Sequence, residues 1–164
     1  MKEVLDWYLF YTFPRAEKRA YQWLVEQGFD VFLPLLAKVS LWMNRQRKTI
    51  YEPLFPGYVF VRTNPNEIYK VLQNPKIVSC ITFNKVPATV SNDDIELIKM
   101  TIESGTKISV NNCEETGKEV EIMNGPFKGF KGTILNNSNE RRVRIQIEGI
   151  PYVLIVDTKD EIVK

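Results

Sequence analysis

Hydrophobic and polar positions follow two periods along this chain, strand-like and helical in turn up to Gly105 and strand-like alone beyond it. Trp7 to Phe13 is an aromatic and aliphatic run that predicts a strand. Pro14 then suits the first turn of a helix. Ala16, Ala20, Trp23, Leu24 and Gln27 follow at helical spacing, and Gly28 ends the run. Phe29 to Leu33 predicts a second strand, stopped by Pro34. Ala37 to Tyr51 reads as an exposed hairpin or loop, and Tyr58 to Arg62 as a third strand. Asn64-Pro65-Asn66 is a turn, after which Ile68, Val71 and Leu72 mark a short helix. Ile77 to Phe83 predicts the fourth strand. Ser91 with Asp94 resembles a capping box, and Ile95, Ile98 and Ile102 line one side of the helix it starts. The order β-α-β-β-α-β-α predicts a split βαβ fold, with helices on one face of an antiparallel sheet and the other face open to partners.

After Gly105 the pattern changes. Ser109 to Gly117 is polar and reads as a linker. Period two then recurs at Val120 and Ile122, Thr133 to Leu135, Val143 to Ile147, and Tyr152 to Val156, with Asn- and Gly-rich turns between. Short strands so spaced predict a small SH3-like five-stranded β-barrel. The fold class is therefore α+β in two domains: 1–105, a linker at 106–117, and a barrel at 118–164.

Composition narrows the function. Of 164 residues, 44% are hydrophobic, enough for two small cores, and the net charge is only +2, so global charge does not hold the chain on nucleic acid. Histidine is absent, which removes the commonest general base and metal ligand. Cys80 and Cys113 are too few for a zinc cluster or a disulfide scaffold. Two thiols, no signal-peptide pattern and no apolar run of membrane length lead to the expectation of a cytoplasmic, reduced, non-membrane protein, and a monomer is expected. No carboxylate pair, nucleophile–base set or phosphate loop can be assembled, so the expectation is no enzyme, no cofactor and no metal.

Two constellations remain. In Pro53-Leu54-Phe55-Pro56-Gly57-Tyr58-Val59-Phe60-Val61 a proline bracket leads into a strand whose valines face one way and whose Tyr58 and Phe60 face the other. The valines suit helix packing, and the aromatics suit either a core or a partner. The second is basic. Lys38, Arg45, Arg47 and Lys48 lie in an acid-free window from Val31 to Tyr51 with Trp42 interleaved, and Arg15, Lys18 and Arg19 gather at a helix start. Such runs are either solvated rims or phosphate contacts.

The same residues carry a resemblance. Trp7 to Thr12, Glu17 in the first helix, the Pro53–Val61 run, and Val120-Glu121-Ile122 with Gly125-Pro126-Phe127, Gly129 and Gly132 together resemble the NusG family of transcription elongation factors, the last group matching its KOW motif. Leu72-Gln73-Asn74-Pro75-Lys76-Ile77 departs from the general members and is similar to the specialised RfaH-type branch, which includes antiterminators of capsular and other surface-polysaccharide operons. The resemblance implies that Tyr11, Tyr58 and Phe60 meet the clamp helices of RNA polymerase, and that Tyr69 and Lys70 meet the gate loop across the cleft. It places the basic hairpin, Arg15 and Arg19 along upstream DNA. Asn74 and Lys76 would fall at the non-template strand, with leader RNA a further ligand. Phe127, Phe130 and Ile134 would dock a ribosomal protein or a termination factor. A general NusG role is the nearby alternative. A more distant one is an RNA-recognition-motif module, because Gly57 to Val61 is one residue from that signature. Pro56, Val59 and the following KOW motif argue against it. The β-branched residues, glycines and prolines of the barrel oppose the helical refolding known in RfaH.

Overall fold

A computed structural model describes residues 3–103, 108–111, 119–122, 130–137, 140–146 and 153–157. The chain forms two compact units, Met1–Thr89 and Val90–Lys164.

In the first unit β1 (Asp6–Thr12) is followed by α1 (Glu17–Glu26) and β2 (Asp30–Phe32). A hairpin of β3 (Leu35–Leu41) and β4 (Arg47–Pro53) then precedes β5 (Tyr58–Thr63). A 3₁₀ turn (Pro65–Glu67) and α2 (Ile68–Val71) lead to β6 (Ile77–Cys80), and β7 (Thr82–Phe83) and β8 (Val86–Pro87) form a small hairpin. The main sheet runs β2-β5-β1-β6, and β9 (Thr89–Val90) pairs with β1 as its fifth strand. The pairings of β5 with β1 and β2, and of β1 with β6, are antiparallel.

The period-two reading of β5 holds for its valines. Val59 and Val61 join Tyr8 and Phe10 of β1, Ala20 and Leu24 of α1, and Ile68, Val71 and Ile77 in one buried cluster. Each large side chain so buried contributes about 1.5–3 kcal/mol. The opposite face is not open as expected. Trp7, Leu9 and Phe60 on it are buried. The loop before β5 folds back and sets the Phe55 ring 6.1 Å from Phe60, while Phe32 of the neighbouring strand lies at 5.8 Å. Pro14 also falls outside the first helical turn, because α1 starts at Glu17.

In the second unit, α3 (Asn92–Glu103) begins as its sequence suggests. Ser91 Oγ accepts the Asp94 N–H at 3.1 Å, and Ile95 and Ile98 are buried. A five-stranded sheet follows in the order β10 (Ile108–Asn111), β14 (Val153–Asp157), β13 (Glu140–Gln146), β12 (Lys131–Asn137), β11 (Glu119–Glu121). The expected linker at 106–117 thus contains a strand. Ile108 and Val110 alternate with polar residues opposite Val156 and Leu154, a short amphipathic signal masked by the Asn- and Glu-rich run behind it.

Candidate partner and nucleic-acid interface

A hydrogen-bonded corner at Gly57 positions two tyrosines. Gly57 has φ of +87°, a conformation glycine adopts without steric cost. Its N–H donates to Glu17 Oε1 at 2.8 Å, and its carbonyl accepts the Thr12 N–H at 2.8 Å. A Cβ here would stand 3.1 Å from Tyr11 Cε2, so the ring lies directly over the corner. Glu17 is buried, and its brace locks the loop to α1. Tyr11 and Tyr58 are direct cross-strand partners with ring centroids 5.4 Å apart. Tyr11 is 38% exposed and Tyr58 half-buried, which leaves an aromatic edge with two hydroxyl groups at one end of the sheet. Phe13 is 51% exposed two residues beyond Tyr11. Sequence reasoning missed Phe13, although the same period two marks it. It also missed what Glu17 binds, a contact across 40 residues that no local pattern encodes.

Two sequence-predicted contacts do not survive. Phe60 is fully buried under Phe55 and beside Phe32, so it is a core residue and offers no ring to a partner. The same cover removes the base-stacking platform that an RNA-recognition motif would need. Asn74 is 1% exposed. Its Nδ2 donates to the Ala20 carbonyl at 3.2 Å and its Oδ1 accepts the Lys76 N–H at 2.8 Å, so its amide braces the loop against α1 and cannot read a base.

The other predicted residues of the first unit are exposed or half-buried. Arg15, with φ of +60°, and Arg19 are exposed, and Lys76 is half-buried. Tyr69 is exposed, and Lys70 Nζ donates to Glu67 Oε1 at 2.6 Å. That hydrogen bond holds the Lys70 ammonium above the ordinary lysine range.

The basic window is a hairpin, as expected. It pairs from Leu35↔Pro53 to Leu41↔Arg47. Lys38 meets Glu52 at 3.6 Å near its base, and Lys48 Nζ lies 5.0 Å from the Trp42 ring centroid near its tip. Among the described residues Arg45 and Arg47 form no ion pair.

In the barrel, Phe130 is half-buried and its carbonyl accepts the Ile122 N–H at 3.0 Å. Ile134 sits in β12 opposite Val143. Phe127 lies outside the described residues. Among the described residues no group of three or more potential ligands could hold a metal, and no helix is long and apolar enough to cross a membrane.

A split βαβ unit followed by a small five-stranded β unit is matched by a known family of transcription factors. The family model described as transcription termination factor nusG matches residues 5–99, and the KOW motif matches 116–148. The chain belongs to the NusG family. It is 27% identical over 154 residues to the transcription termination/antitermination protein NusG of Pseudomonas aeruginosa, covering 86% of each. Its identity to the Thermus thermophilus protein of that name is 24% over 163 residues, covering 87% of this chain and 89% of that protein. Among solved structures, one titled "Domain interaction in Thermotoga maritima NusG" matches with a TM-score of 0.57 at 21% identity over 93% of both chains, a likeness of fold. As in its family, the chain is a transcription factor and not an enzyme.

Proposed function

We propose that this chain is an elongation and antitermination factor that rides on RNA polymerase in the cytoplasm and suppresses pausing on a restricted set of operons. The observation that carries the reading is the Tyr11–Tyr58 edge, exposed at Tyr11 and half-buried at Tyr58, braced by Glu17 through Gly57. An aromatic patch with polar tips on a rigid support suits the clamp helices. Tyr69 and Lys70 supply a second exposed contact for the gate loop on the far side of the cleft. A factor that binds the closed clamp better than the open one shifts the population toward closed, and pauses that need clamp opening become rarer. Arg15, Arg19, Lys76 and the hairpin cations face upstream DNA, the non-template strand or leader RNA as phosphate contacts. The barrel recruits a ribosomal protein or a termination factor through Phe127, Phe130 and Ile134, at the effective concentration its tether allows. The restricted range follows from the stretch after α2. It departs from the family's common run and presents exposed Val78, Phe83 and Val86.

Transcription by purified polymerase through a defined pause tests the reading. The protein shortens the pause, and Tyr58→Ala abolishes the effect while retaining the native circular dichroism spectrum. An unchanged pause lifetime with the wild-type protein contradicts it.

A further inference from the structure

The end of the β3–β4 hairpin is built unlike a solvated charge rim. Met43 is fully exposed at its apex, with Trp42 at 53% and Leu41 at 74% beside it. The turn under them is fixed by hydrogen bonds. Trp42 N–H donates to the Gln46 carbonyl at 3.1 Å, Arg45 N–H to the Trp42 carbonyl at 2.9 Å, and Gln46 N–H to Asn44 Oδ1 at 3.2 Å. Arg45 closes it in the left-handed region at φ +60°. Met43 is thus held out at the tip of an ordered turn. Directly behind it stand Arg45 and Arg47, without ion-pair partners among the described residues, and Lys48 over the Trp42 ring.

Charge complementarity selects the occupant. The window from Val31 to Tyr51 holds four cations and no acid. A partner there is anionic, yet it also has to accept an apolar apex. Duplex DNA does both. A two-stranded ribbon fits a DNA groove, and proteins that bind the minor groove push a Met, Leu or Phe wedge between base steps. Unstacking costs least where the bases are already unpaired, at the edge of a melted segment.

We propose that the β3–β4 ribbon is a DNA wedge: Arg45 and Arg47 grip phosphates, and Met43, backed by Trp42, enters the base stack at the upstream edge of the melted DNA. The wedge rests on the reading that the chain rides on polymerase. It adds that the hairpin acts on base stacking itself, beyond a charge contact.

The test uses elongation complexes carrying 2-aminopurine at successive positions across the upstream edge, with binding followed separately by anisotropy. The wild-type chain raises 2-aminopurine fluorescence at one position. Met43→Ala and Trp42→Ala each remove that rise and leave the salt dependence of binding unchanged. Binding without any fluorescence change, or a rise undiminished in Met43→Ala, overturns the wedge and leaves the polymerase reading standing. Absence of binding by the wild-type chain overturns both. Binding to phosphatidylglycerol vesicles that Met43→Ala abolishes, with no 2-aminopurine response, assigns the tip to a lipid surface and also overturns the wedge.

Discussion

Tyr58 and Phe60 share one side of β5 and have opposite environments. The alternation of the strand assigns the side, but what covers it depends on Phe55, which returns over Phe60 from the preceding loop, and on Phe32 from another strand. The valines facing α1 were legible because helix and strand periods agree, whereas the cover on the aromatic side is a non-local choice. Phe60→Ala is therefore expected to destabilise the chain by about 3–5 kcal/mol, the cost of a large core truncation. Tyr58→Ala is expected to cost much less. Urea denaturation of both variants checks the pair, and equal losses would contradict the assignment. Asn74 was misread for a related reason, since an exposed-looking Asn-Pro loop gives no sign that its amide reaches Ala20 across 54 residues.

Cys80 offers a pH test at the same scale. It is half-buried, its thiol lies 3.7 Å from the Ile81 carbonyl, and burial pushes the thiol up to about 11 from 9.0. The folded thiol stays protonated where the unfolded one ionises. The unfolded state then binds fewer protons, so this group's contribution lowers stability as pH rises from 9.0 toward about 11 and is silent below. In a Cys113→Ser background, Cys80 in the native protein is expected to be alkylated at pH 8 on the order of 100-fold more slowly than an unfolded thiol, following its smaller thiolate fraction. Equal rates would contradict the burial.

Among elements, the hairpin was the most legible from its acid-free, Trp-interleaved window, and β10 the least. Four residues of weak alternation do not stand out beside an Asn- and Glu-rich run, yet their pairing with β14 adds the outermost strand of the second sheet. For the hairpin, Arg45→Ala with Arg47→Ala is expected to weaken binding to elongation complexes but not to isolated clamp helices. The slope of log affinity against log salt should shrink by roughly one unit per lost phosphate contact. Titration at several salt concentrations measures it, and an unchanged slope would reduce the hairpin to a solvated ribbon.

For the whole molecule, the order of the two units and the Pro53–Val61 run were enough to place the family, because each motif alone is common and their combination is not. The range of targets is a finer matter. On the proposed reading it is set by the segment from Leu72 to Phe83, whose exposed Val78 and Phe83, and not the buried Asn74, are left to meet a ligand, and a discrimination of about 1–3 kcal/mol is enough to favour one leader in competition with a general factor. Deleting the gene and sequencing nascent RNA is expected to change pausing on few transcripts. A uniform change would assign the general role instead.

The central claim is that the tyrosine edge docks on RNA polymerase. Anisotropy titration of the labelled full-length chain with polymerase, beside a Tyr11→Ala, Tyr58→Ala variant of unchanged circular dichroism, tests it most directly. The account predicts saturable binding by the wild type and a loss of about tenfold or more in the variant, at least 1.4 kcal/mol. Undiminished binding by the variant, or none by the wild type, would contradict it.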